Sequence, residues 1–306
     1  MSTSFFEGVL SGAALSGTSI LYATVGEIVG ERSGIVNLGL EGVMLVGAVT
    51  GFAATAETGN PYIGVMAAAV AGGVFNMVFA YLVVTRRGNQ LASGLTLMFL
   101  ALGITAIAGK PYVGKPIAGL KDLPIPGLAG LPQVGHALFD KDPLVYLAIP
   151  FALAAWFLLH RTSWGLRVRS VGESKTVAFA AGLKPERLQY QALLAAGVLG
   201  GIGGGHLSIA YTKTWQEGMT AGAGFIAVGL VIFAAWSPVR AIVGALLFGG
   251  AVAIQLQMQA RGSSVSPFLL DMMPYLVVLV VLMLFGRMKG RSVPAGLKDV
   301  FEGTGR

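Results

Sequence analysis

The sequence predicts an all-α fold, a polytopic membrane helix bundle of about nine transmembrane helices (eight to ten by apolar-run length). Three observations carry this. Apolar runs of about 20 residues, the length that crosses a bilayer's hydrocarbon core, recur along the whole chain. Only 11% of the 306 residues are charged and 55% are hydrophobic, whereas a soluble domain carries about 25% charge. The mean hydropathy is +0.74, and the charges sit between apolar runs, where they report topology. No long soluble linker divides the chain, so residues 1–306 read as one transmembrane domain. The opening MSTSFFEGVL lacks a basic region ahead of its apolar residues, so no cleaved leader is expected.

The first span, residues 5–25, places Gly8 and Gly12 four apart, a spacing that lets helices approach closely. The second, 34–56, holds Asn37 and Glu41, which share one face if both are helical. Asn60 and Pro61 make a turn. The third span, 62–84, has Asn76 in its middle, and Arg86, Arg87 and Gly88 form a short basic loop. The fourth span is 91–108. Residues 110–142, broken by Pro111, Pro116, Pro124, Pro126 and Pro132, read as an ordered loop or short interfacial elements on one membrane side. The fifth span, 144–159, leads into a polar segment, 160–187. The sixth, 188–211, is rich in glycine. Lys213 and Glu217 mark a short loop before a short seventh span, 221–236. Ser237 and Pro238 turn the chain into the eighth, 239–258. The loop 261–267 precedes the last, 268–285, and a basic tail follows (Arg287, Lys289, Arg291, Lys298, Arg306).

Arg32, the 86–87 loop, segment 160–187, Arg240 and the tail hold 15 Lys and Arg, and the remaining six lie on the other side. The positive-inside rule puts the larger set in the cytoplasm. The N-terminus is then outside, the C-terminus cytoplasmic, the 110–142 loop external and segment 160–187 cytoplasmic.

Catalytic chemistry is missing. GKPYVGKP at 109–116 nearly spells a phosphate-binding loop, but Pro116 replaces the hydroxyl residue that holds magnesium. His136, His160 and His206 have no metal-ligand spacing, and no paired-carboxylate or Ser-His-Asp arrangement is visible. With no cysteine in the chain, disulfides and thiolate sites are excluded. No catalytic residue, metal, cofactor or nucleic-acid face is expected. If the chain moves a solute uphill, the energy must come from a partner or an ion gradient.

Two sets of residues remain. Ser174 or Glu173 can cap a helix of about two turns over 175–181, Gly182 suits the left-handed position after it, and Pro185 prevents continuation. Ala178, Phe179 and Ala181 then form a small docking surface, the competing role being a plain amphipathic connector. The polar residues Asn37, Glu41, Asn76, Gln90, Ser93 and Gln255 either line a solute path or hydrogen-bond neighbouring helices. Gln257 lies about 200° round the helix from Gln255, so the two cannot face one cavity. His206 either faces a cavity or packs between helices.

GEIVGERSGIVNLGLEGVMLVGA, from residue 26, resembles the opening signature of the inner-membrane permease subunits of nucleoside and simple-sugar ABC importers. These belong to the ribose and branched-chain amino-acid permease group. GESKTVAFAAGLKPERLQYQALLAAGVLGGIGGGHLS, from residue 172, resembles the coupling-loop region of the same group, with Ser174 where Asn is common and Val177 where Ala is common. RRGNQLASGLTLMFLALGITAIAGKPYVG and DMMPYLVVLVVLMLFGR resemble its fourth-span and last-span regions. The resemblance implies a multi-pass subunit of a prokaryotic cytoplasmic membrane. It works with a second permease, identical or paralogous, with ABC ATPase subunits and with an external solute-binding protein. Gly172, Glu173, Ser174, Ala178, Ala181 and Gly182 would dock on the ATPase. The alternatives are a ribose-like sugar or a branched-chain amino acid as solute, or an ATP-independent facilitative channel for small polar solutes.

Overall fold

The computed structural model describes residues 5–131, 134–263, 265–285 and 293–301. Pro132 and the tail residues Arg287, Lys289, Arg291 and Arg306 lie outside them. Nearly every apolar run becomes a helix, because in lipid only an α-helix satisfies its backbone hydrogen bonds within one segment. Helix α1 runs Phe5–Glu31, α2 Leu40–Thr58 and α3 Pro61–Ala80, continued by a wider turn over Tyr81–Thr85. Asn60 caps α3 by accepting from Tyr62 N–H, and Asn89 caps α4 (Gln90–Gly109) by accepting from Ala92 N–H.

The 110–142 segment is built of short pieces: a turn at Lys110–Tyr112, paired strands β1 (Leu123–Pro124) and β2 (Asp140–Lys141), and α5 (Gly135–Phe139). Asp142 caps α6 (Pro143–Arg161). Helices α7 (Ser163–Glu173) and α8 (Lys175–Ala180) follow, then α9 (Pro185–His206) with a wider turn at Leu207–Tyr211. The chain closes with α10 (Ala223–Phe233), α11 (Pro238–Ala260), α12 (Pro267–Phe285) and α13 (Ala295–Phe301). Among the described residues seven helices are long and apolar enough to cross a membrane. The seventh expected span appears as a shorter apolar helix, Ala223–Phe233, and the ninth falls on α12.

Two boundaries differ from expectation. Helix α1 runs six residues past 25, carrying Glu27 and Glu31 into the buried interior. The second helix begins at Leu40, not 34, because residues 32–39 form a turn. Gly34 adopts φ +85° there, and the Asn37 side chain accepts from Gly39 N–H at 2.7 Å. Such a local bond offers the backbone an alternative to helix. Asn37 and Glu41 therefore do not share a helix face.

The interior is built on small residues and the outside on large ones. Val70, Val74 and Val78 on α3 and Phe99 and Ile107 on α4 are exposed, as lipid-facing side chains are. Inside, α9 lies in van der Waals contact with α2 and α3. A Cβ on Gly204 would sit 1.9 Å from Met44 O, and one on Gly201 2.2 Å from Ala68 O. The basic residues sort to two ends. Lys141 bonds Ser11 Oγ at 2.8 Å and Arg261 stacks over Phe5, at the start of α1. Arg32 donates to Trp236 O at the far end.

Replacing Gly201 by Val should cost at least the roughly 1–3 kcal/mol of an overpacked core, because the obstacle is backbone. Gly103→Ala, with no atom within 4 Å of the new Cβ, should be neutral. Thermal unfolding in detergent reads the difference, and equal midpoints would refute the close-packed α3–α9 interface.

Candidate functional site

At the Arg32 end, the 32–39 turn is surrounded by side chains that satisfy its backbone. Glu27 Oε1 accepts from Asn37 N–H at 2.7 Å, and Gln90 Oε1 from Val36 N–H at 3.0 Å. Gln189 Nε2 donates to Ser33 O at 3.0 Å. Asn37 Nδ2 donates to Asn76 Oδ1 at 2.8 Å, and Asn76 Nδ2 donates in turn to Leu193 O at 2.6 Å. Trp236 Nε1 donates to Glu31 Oε2 at 2.5 Å. Burial, with Arg169 nearby, lowers the Arg32 guanidinium to about 10.

The segment expected to dock on a partner, residues 172–182, lies against this hub. Gly172, the penultimate residue of α7, faces the turn so closely that a Cβ on it would meet Arg32 O at 2.2 Å. Ser174 Oγ caps α8 by accepting from Val177 N–H at 3.3 Å. After α8, Gly182 takes φ +82° and Leu183 N–H returns to Ala178 O. Glu173 Oε2 accepts from Ala295 N–H at 3.2 Å, tying α13 to α7. Ala178, expected on the docking surface, is buried. The exposed knobs are Val177 and Phe179, 68% and 71% accessible, with Ala181 and Gly182 also exposed. Helix α7 escaped the sequence reading, although its amphipathic pattern, with Val168 and Val171 inward and Arg167 outward, was a usable signal.

Toward the other end a cavity of about 320 Å³ opens between α1, the turn after α9, and α10 to α12. Its wall includes Ser16, Ser19, Tyr211, Thr220, Gln255 and Tyr275, with Phe248 and Asp271. Gln255 Nε2 donates to Asp271 Oδ1 at 2.7 Å. Tyr211 also borders an outer cavity of about 490 Å³ that contains Gln257, Asp140 and Lys141. The structure thus separates Gln255 from Gln257, as their angular spacing required.

Of the six polar candidates, Gln255 lines the inner cavity. Asn37, Asn76 and Gln90 belong to the hub, and Ser93 is half-buried on α4 beside Gly88. Glu41 caps α10: its Oε1 accepts from Thr220 O–H at 2.6 Å and Gly222 N–H at 2.8 Å, and its Oε2 from Gly224 N–H at 2.6 Å. An anion at a helix N-terminus also meets the positive end of the helix dipole. Sequence separation concealed another group, Ser19, His206 and Asp142, which the fold brings into one line.

A bundle of long apolar helices packed on glycine, with a cavity inside whose largely apolar wall carries several hydroxyls and an amide, and with a two-turn helix exposed at one end, is the architecture of a transport permease. The chain belongs to the family described as branched-chain amino acid transport system, permease component, whose profile matches residues 9–285. It is 40% identical over 268 residues to TsgC13 of Haloferax volcanii, provisionally named a glucose ABC transporter permease, covering 86% of this chain and 82% of that protein. It is 33% identical to the guanosine ABC transporter permease NupQ of Bacillus subtilis, over 78% of each chain. Identity to the nucleoside ABC transporter permease NupC of Lactococcus lactis is 31%, over 90% of this chain and 92% of that one. No solved structure matches the chain. The protein is a multi-pass permease subunit of an ABC transporter in the cytoplasmic membrane, a transport component and not an enzyme. Its family implies an ATPase subunit, a second permease and a solute-binding protein as partners.

Glu41→Gln puts an NH2 group where one of three donors now finds an oxygen. An unsatisfied buried donor costs roughly 1–3 kcal/mol. Amide hydrogen exchange over 222–226 should accelerate and the thermal midpoint fall. Unchanged exchange there would show that Glu41 does not hold α10.

Proposed function

We propose that this permease carries a nucleoside or a related simple sugar, delivered by an external binding protein. The observation that carries the reading is the inner cavity. Its polar lining consists of hydroxyls and an amide around one acid, with the Phe248 and Tyr275 rings beside them. Such a wall suits a neutral, hydroxyl-rich solute. A branched-chain amino acid would bring a carboxylate, and among the described residues no Lys, Arg or His lines this cavity. The relatives named for guanosine, nucleosides and glucose support the same solute class. Gln255 contacts the solute in this reading. Asn37, Asn76, Glu41, Gln90 and Ser93 shape the path around it.

In the same proposal segment 160–187 is cytoplasmic, the N-terminus is outside, and α8 with its flanks (Gly172, Glu173, Ser174, Ala178, Ala181, Gly182) transmits ATPase movement to the bundle. Val177 and Phe179 are the contacts that enter the partner, and Gly172 passes the force to the 32–39 turn. A ligand-driven shift needs contacts that differ between the two states. A peg with exposed apolar knobs on a short, capped helix provides them.

In proteoliposomes holding the complete transporter, guanosine or glucose should accumulate only with ATP. Uptake at full rate without ATP would favour the facilitative channel. Phe179→Ala and, separately, Gly182→Val should abolish solute-stimulated ATPase while leaving membrane insertion intact. A non-glycine residue at φ +82° costs roughly 1–2 kcal/mol, enough to displace the helix end. Unchanged coupling in both variants would remove α8 from the mechanism.

A further inference from the structure

Ser19 lies on α1, in the wall of the inner cavity. Its Oγ is 2.7 Å from His206 Nδ1, and His206 Nε2 is 3.3 Å from Asp142 Oδ2. All three side chains are buried, none more than 2% accessible. They come from α1, from the last residue of α9 and from the cap of α6. Several helical hydroxyls in this chain bond back to the carbonyl four residues earlier, as Thr18, Thr50, Thr55 and Ser170 do. Ser19 turns to His206 instead.

We propose that Ser19 is a specificity-determining residue that reads a hydrogen-bond donor on the solute, and that His206 and Asp142 are positioning residues that fix its hydroxyl. This rests on the reading that the inner cavity is the solute path. Burial pushes the Asp142 carboxyl up. The hydrogen bond from His206, with those from the N–H groups of Leu144 and Val145, outweighs it and holds the carboxyl below its ordinary range. A carboxylate only accepts, so His206 Nε2 carries the hydrogen. In the neutral ring Nδ1 then accepts, and Ser19 must donate to it. A serine hydroxyl has one hydrogen and two lone pairs, so Ser19 has only lone pairs left for the cavity.

Its neighbours follow the same rule. Thr220 donates to Glu41, Tyr275 to Ala221 O at 3.0 Å, and Ser16 to Tyr211 at 3.1 Å. Three of the wall hydroxyls, Ser19, Thr220 and Tyr275, thus give their hydrogen to protein acceptors, while Tyr211 accepts from Ser16 and keeps its own. The ligand such a wall recognises is a donor-rich one, a solute with several free O–H groups.

The chain has no cysteine, so single substitutions can be probed in the full transporter with aminoethyl methanethiosulfonate, reading labelling of this subunit by mass spectrometry. Ser19→Cys, Ser16→Cys and Gln255→Cys should all be labelled. Cys-to-imidazole proton transfer activates a thiol, so at pH 7 position 19 should react about tenfold faster than position 16. His206→Gln in the Ser19→Cys background should erase that excess. A merely structural network would lower the thermal midpoint without touching the labelling rate. If Ser19→Cys stays unlabelled while Gln255→Cys reacts, the solute path stands and the Ser19 proposal falls. If neither reacts, both fall. A rate at position 19 indifferent to His206 overturns the positioning role. In uptake of whichever of guanosine and glucose the wild type carries, Ser19→Ala should cut discrimination against at least one monodeoxy analogue about tenfold. Equal discrimination at every hydroxyl overturns the solute contact. If neither is carried, the solute assignment falls, and labelling still decides whether Ser19 lines the path.

Discussion

The chain reverses between α1 and α2 inside the packed bundle, and the rest of the structure depends on how that reversal is satisfied. Backbone amides removed from water cost several kcal/mol each when unpaired. Residues 32–39 make a turn where a helix would have paired every amide automatically. Glu27, Asn37, Gln90 and Gln189 supply the missing partners from α1, the turn itself, α4 and α9. Asn76 adds α3 through Asn37 and passes the connection to Leu193 on α9. Five polar side chains in an apolar protein thus converge on one irregular segment, and the price in desolvation is offset by hydrogen bonds that leave little alternative geometry.

The turn also joins the two working ends. On one side Gly34 and Gly172 face each other, with a Cβ on Gly34 3.2 Å from Gly172 Cα, so the end of α7 rests on the turn without an intervening side chain. On the other side the first turn of α2 delivers Glu41 to the N-terminus of α10, and Glu41 accepts from Thr220 in the cavity wall. Close backbone contact and hydrogen bonds thus link the end of α7 to the cavity wall. The glycine interfaces of α9 with α2 and α3 bring backbone against backbone, with Leu40, Val43 and Val198 packed beside the glycines and Asn76 bonded to Leu193 O across α3 and α9. A packed bundle of this kind tends to hold discrete arrangements instead of deforming continuously.

Most of the architecture was legible in the sequence because its signals are local. Apolar runs gave most helices to within a few residues, α1 and α2 each differing by six at one end. Ser174 and Gly182 gave α8 its cap and its left-handed end, since capping and φ preferences depend on nearest neighbours. What was not legible is non-local. The run 34–56 is apolar throughout, so nothing in hydropathy marked the break at Asn37; a side chain competing for Gly39 N–H did. Ala178 faces inward because α8 leans on its neighbours, which no period in six residues reveals. The Ser19, His206 and Asp142 line joins residues 187 and 64 positions apart, and spacing rules are blind to such distances.

The same accounting of donors and acceptors separates supporting polar residues from working ones. Asn37, Asn76 and Glu41 direct their side chains at protein partners, which makes them parts of the frame. Ser19, Thr220 and Tyr275 each spend a single hydrogen on the protein and retain oxygen lone pairs at the cavity. A solute entering that space must exchange water for these groups. A polyol does so cheaply, since each hydroxyl brings a hydrogen to an oxygen that lacks one. A zwitterion could place its ammonium there, but its carboxylate would face oxygen lone pairs and lose its hydration without return. On the proposed reading, preference for neutral, hydroxyl-bearing solutes rests on these oxygen acceptors, the one wall acid, Asp271, being engaged by Gln255 and Gln259.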